Sequence, residues 1–115
     1  MTILKETFLQ SRRGHISSVS VRELYLFATN DGDLYRQGLQ SININMGNKY
    51  KKGVFDLHES ARSYKHFVDH AAKKYVVENC TESGTIFNSA ERWACAYEIA
   101  EANLDEMELG NFTER

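Results

Sequence analysis

Residues 56–77 read DLHESARSYKHFVDHAAKKYVV, and this stretch decides the fold. Leu57, Ala61, Tyr64, Val68, Ala71 and Tyr75 recur alternately four and three residues apart, which is one stripe of an α-helix. At 1.5 Å rise per residue the helix is roughly 33 Å long. Asp56 with Glu59 three residues later has the form of a capping box and marks its start. Glu59, Arg62, His66, Asp69, His70 and Lys73 fall on the opposite face. A helix with one apolar stripe needs partners, and the flanking sequence has to supply them.

The first partner follows a short polar loop. Asn88 and Glu91 form a second box ahead of Ala90, Trp93, Tyr97, Ala100, Leu104 and Met107, and Gly110 stands where a helix ends. So short a connection predicts an antiparallel pair, with Tyr64, Val68 and Tyr75 facing Trp93, Tyr97 and Leu104. Upstream, Val19, Val21 and Leu24–Phe27 have strand-like composition. However, Ser20 and Glu23 make a capping box, and Val21, Leu24, Tyr25 and Ala28 share a helical face. Between 33 and 52, alternating Ile42, Ile44 and Met46 compete with the helical spacing of Leu39, Ile42, Met46 and Tyr50. Asp33 at the start, Lys49, Lys51 and Lys52 at the end and Gly53 beyond it decide for helix. Residues 2–10 are compatible with a short helix, and residues 11–18 read as a polar connector.

The expected fold is therefore all-α, a small bundle of about four helices near 20–30, 33–52, 57–78 and 89–109. A flexible N-terminal arm over 1–19 precedes a single domain over 20–110, and 111–115 form a tail. The 115 residues suffice for one core without staples. With 42% hydrophobic and 26% charged residues the composition is globular, and the absence of proline suits long helices. Cys80 and Cys95 are too few for a disulfide framework, no leader-like run opens the chain, and no apolar run approaches a membrane span. A cytoplasmic location without a membrane partner is the expectation.

Few constellations suggest chemistry. His66 and His70 stand four apart, but Phe67-Val68-Asp69 between them lacks the metalloprotease glutamate. Neither cysteine sits in a C-x-x-C pair, and Asn30-Asp31-Gly32-Asp33 lacks the frame of a calcium loop. No metal, cofactor or catalytic centre is expected.

The order of several segments carries a likeness. Val21–Leu26 (VRELYL), Asn30–Gln37 (NDGDLYRQ), Lys52–Asp56 (KGVFD), Ala71–Glu78 (AAKKYVVE) and Ile86–Arg92 (IFNSAER), then an acidic helix, resemble a group of small proteins encoded by bacteriophages and prophages. The likeness spans roughly residues 20–110. It implies a phage accessory protein acting in the host cell, on a host or phage macromolecule, and assigns no mechanism or functional residue.

Charge divides the chain. Residues 1–76 hold 12 Lys and Arg against 7 Asp and Glu, a net of +5; residues 77–115 hold 2 against 9, a net of −7. Two binding surfaces follow. Cys95, Ile99 and Ala102 form a second apolar stripe on the last helix, with Glu98 and Asp105 beside it. It predicts a protein interface, or a two-fold contact between two copies. Alternatively, Lys49, Lys51, Lys52, Arg62, Lys65, Lys73 and Lys74 form a surface for a nucleic-acid backbone.

Overall fold

The computed structural model describes residues 16–79 and 87–108, and among them every regular element is helical. Helix α1 is Ser18–Asn30. Helix α2 is built of three contiguous pieces: a first turn at Gly32–Leu34, a π-helical turn at Tyr35–Leu39, and Gln40–Lys51. Helices α3 (Leu57–Asn79) and α4 (Ser89–Glu108) complete a small four-helix bundle. No helix of the described residues is long and apolar enough to cross a membrane. The expected N-terminal arm lies largely, and the C-terminal tail wholly, outside the described residues.

The long stretch behaves as its pattern predicts. Asp56 caps α3 by accepting the Glu59 N–H at 2.9 Å, while the Glu59 side chain turns to Arg62. Ala61, Tyr64, Val68 and Ala71 lose all exposure. Helix α4 runs antiparallel beside α3: Tyr75 meets Phe87 edge-on, Asp69 bonds Arg92, Lys65 lies over Trp93, and His58 meets Tyr97.

The seam's composition differs from expectation. Trp93 is only half-buried and sits at an edge, stacked on His58 with centroids 6.4 Å apart and capped by the Lys65 ammonium at 5.2 Å. Tyr97 and Tyr64 hold the centre, both with no exposure. Their hydroxyls need partners once water is excluded. Tyr97 pairs with His58 Nδ1; Tyr64 accepts from the Asn103 amide and donates to Asn43 Oδ1 at 2.6 Å. Tyr75 faces Phe27 and Phe87 rather than the C-terminal half of α4.

Helix α1 begins earlier than its Ser20–Glu23 box suggests, because Ser17 Oγ caps the Ser20 N–H and Glu23 is drawn to the Tyr75 hydroxyl at 2.6 Å. The Asn88–Glu91 box of α4 does form, with bonds of 3.1 and 2.8 Å. Its buried glutamate does a second job, accepting the Ser17 N–H through its other oxygen at 2.9 Å. One carboxylate thus serves the positive ends of both α1 and α4. The other end of α1 is tied by Asp31, which caps α2 through the Leu34 N–H at 2.9 Å and accepts Lys74 at 3.0 Å.

The π turn explains how α2 packs. At about 100° per residue, positions five apart in an α-helix lie about 140° apart in azimuth, so Leu34 and Leu39 would not share a face. The wider turn, closed by Gln40 N–H to Tyr35 O, brings both into the core. Gly38 lies against Phe67 of α3, where a Cβ would come within 3.3 Å of the ring. The helix ends in a Schellman motif: Gly53 (φ +74°) bonds Tyr50 O, and Val54 N–H bonds Lys49 O at 2.9 Å.

Candidate partner-binding surface

Helix α1 lies over the stripe that the sequence offers as an interface. Cys95 has no exposure and Ile99 only 4%, so the expected uncovered apolar face is closed within the chain. Val21, Leu24 and Ala28 of α1 join them in one core, and burial of this apolar area is what favours the cover. Desolvation, with Glu98 nearby, pushes the Cys95 thiol up to about 12, leaving it protonated and unreactive at neutral pH. A two-fold contact through Cys95 and Ile99 is closed with α1 in place. Cys80 lies outside the described residues.

The open surface is displaced by one residue around α4. Ala94, Glu98 and Ala102, four apart, form one wall of a groove of about 390 Å³. Ile16, Ser18, Val21, Arg22 and Tyr25 form the other among the described residues. The Glu91 clasp sets this gap, since it ties the start of α1 to the start of α4. Small alanine side chains keep the two helices from filling it. The groove carries Arg22 on one wall and Glu98 on the other; burial, then the Glu98 charge, raises the Tyr25 hydroxyl's pKa. Of the residues predicted for a protein interface, Glu98 and Ala102 line the groove, Cys95 and Ile99 lie buried, and Asp105 is exposed on α4 outside its lining. Arg22, Tyr25 and Ala94 were missed; the sequence signal was the row of small residues at 94 and 102 flanking Glu98.

The predicted nucleic-acid surface does not form as one sheet of charge. Arg62 pairs with Glu59 at 3.7 Å, Lys65 with Asp69 at 2.9 Å, and Lys74 with Asp31 at 3.0 Å and Glu78 at 3.5 Å. Asp69 also takes Arg92 at 2.8 Å. Lys73 is exposed with no ion pair among the described residues, beside a cavity of about 590 Å³ bordered by Asp69, Val76, Phe87 and Arg92. Lys49, Lys51 and Lys52 remain clustered at the end of α2, with no ion pair among the described residues.

His66 and His70 are exposed on α3 and border a third cavity of about 420 Å³ with Gln37, Gly38 and Phe67. No group of three or more His, Cys, Asp or Glu suited to a metal comes together among the described residues.

No protein-family model matches the chain, and neither a curated protein nor a solved structure does.

Proposed function

We propose that the chain is a phage accessory protein of the host cytoplasm that works by binding a protein rather than by catalysis. The observation that supports this most is the α1–α4 groove: apolar in its floor, bordered by one charge of each sign, and set open by a buried clasp. Its alanines leave room for an inserted side chain, the arrangement by which an anchor residue supplies most of a binding energy. The acidic outer side of α4, with Glu98, Asp105, Glu106 and Glu108 exposed, favours a partner with basic residues around that anchor. The partner is a host or phage protein; inhibition of a host defence or replication factor fits a small binding module of phage origin. That role rests on the likeness to phage proteins and on size, which is an association.

The test is affinity capture from infected and uninfected cells with wild-type protein, Ala102→Trp and Glu98→Lys. A specific partner should be retained by wild type and lost by both variants, while their thermal unfolding stays unchanged. Capture unaffected by either substitution removes the groove from the proposal. The same variants identify a homodimer: a dimer of the purified protein that Ala102→Trp dissociates assigns the groove to a second copy.

A further inference from the structure

Helix α2 presents a second, chemically different surface. Its inner side is used by the fold: Leu39 and Met46 are buried, Asn43 accepts from Tyr64, and Ser60 of α3 donates to the Met46 sulfur. Its outer side carries Ser41, Ile44, Asn45, Asn48, Lys51 and Lys52, all exposed. These positions recur at three to four residues, so they form one continuous stripe about three turns long. Residues 34–55 contain four Lys or Arg and no Asp or Glu. The net charge of −2 conceals this, because most of the chain's acid lies in residues 77–115.

We propose that this face of α2 is a docking surface for the major groove of duplex DNA. Asparagine presents the paired donor and acceptor that match adenine N6 and N7, and serine reads either kind of base edge. Ile44, isolated at 59% exposure among polar neighbours, matches the thymine methyl group. Lys51 and Lys52 stand at one end of the stripe, where the phosphates bordering the groove would lie. Gln40–Lys51 is about 18 Å long at 1.5 Å per residue, and a helix with its side chains is about 10–12 Å across, which fits a groove about 12 Å wide.

The other occupants fit less well. A protein interface would centre on apolar and aromatic residues and be poor in lysine, whereas this stripe has one apolar side chain. Single strands need aromatic stacking platforms, and the nearby Tyr50 is half-buried, edge-on to Phe55 at 6.3 Å. Duplex RNA offers a major groove too narrow for a helix. Arg36, at the far end, is held by Asp33 at 2.6 Å and is not part of the surface.

Fluorescence anisotropy with a random-sequence DNA duplex tests this. Wild type should bind at low salt, with affinity falling linearly on a logarithmic salt scale. Lys51→Glu with Lys52→Glu should weaken binding about tenfold or more at low salt and flatten that slope by about two. Asn45→Ala with Asn48→Ala should abolish the preference for sequences selected from a random duplex library. The asparagine variants should melt at or slightly above wild type, and the lysine reversals, which oppose the helix dipole, slightly below it while staying folded in the assay, since all four residues are exposed. Absence of duplex binding at low salt, binding indifferent to the lysine reversals, or equal binding to single strands or duplex RNA would each overturn the proposal. None of these outcomes bears on the α1–α4 groove, which lies on other helices.

Discussion

Helices α3 and α2 carry comparable numbers of cations and place most of them differently, although Lys73 of α3 stands exposed and Arg36 of α2 meets Asp33. On α3, Arg62, Lys65 and Lys74 each meet a carboxylate, and the long stems of Lys65 and Lys74 lie partly buried over the bundle. On α2, Lys51 and Lys52 stand exposed at the end of the helix, beside a face with no acid to meet. Sequence counts treat these lysines alike. What separates them is where the carboxylates stand: α3 carries Glu59, Asp69 and Glu78 three or four residues from its cations and receives Asp31 from the start of α2, while residues 34–55 carry no acid. A charge is evidence for a partner only when the fold leaves it unneutralised.

The largest effect that can break this contrast lies in the seam. Tyr64→Ala should cost about 3–5 kcal/mol, as for other buried aromatics cut to alanine. Tyr64→Phe keeps the ring but strands the Asn103 amide and Asn43, and should cost about 1–3 kcal/mol. Chemical denaturation measures both. A Tyr64→Phe variant as stable as wild type would mean that the polar interior of the seam is filled by water or rearranges freely, and that α3 is less fully committed to the fold than its contacts indicate.

Much of this fold was legible because periodicity survives from sequence into packing. The α3 stripe 57–61–64–68–71–75, the Asn88–Glu91 box and Gly53 each do what their chemistry suggests. Leu34 was missed because a five-residue step to Leu39 breaks the helical period, and only a π turn restores it. Ser17 was passed over because Ser20 offered an equally good box, and the choice depended on Glu23 finding Tyr75 from another helix. Trp93 shares the helical stripe of Tyr97 and was expected to face the seam beside it; it falls at the edge, and the centre belongs to Tyr97, whose hydroxyl reaches His58. The binding surface was half legible. Position 102 and Glu98 line the groove, but the stripe at 95 and 99 is one that any neighbouring amphipathic helix would cover, and α1 covers it. The polar face of α2 was hidden because its lysines were grouped with the cations of α3, although residues 34–55 carry no Asp or Glu to neutralise them.

A smaller effect sharpens the contrast at the junction between the two helices. The Leu34 amide, then Lys74, hold the Asp31 carboxyl below its usual range, and the Asp31 bond raises Lys74. A depressed carboxylate contributes stability above its unfolded pKa, about 3.9, and loses it as pH falls through the lower folded value. A raised lysine contributes below its unfolded pKa, about 10.4, and loses that as pH climbs through the folded one. Asp31→Asn removes both contributions. The stability gap between wild type and variant should be widest near neutral pH and should close in both acid and strong alkali. Denaturation curves across pH check it; a gap that is flat with pH would show that Asp31 acts through cap geometry alone.

The smallest expected effect is the most discriminating. Asn45 and His66 are exposed, with no side-chain hydrogen bond to another described residue, so Asn45→Ala and His66→Ala should each change stability by less than about 0.5 kcal/mol. Alanine is the better helix former, so Asn45→Ala should if anything stabilise α2 by a few tenths of a kcal/mol. A residue whose replacement improves the fold is not there for the fold. If Asn45→Ala is neutral or stabilising, the polar face of α2 is free for a partner, as the difference from α3 implies. If it destabilises by about 1 kcal/mol or more, the typical cost of losing a hydrogen bond, Asn45 has a partner within the chain. In that case α2, like α3, has turned its polar residues to the service of the bundle, and the distinction between the two helices disappears.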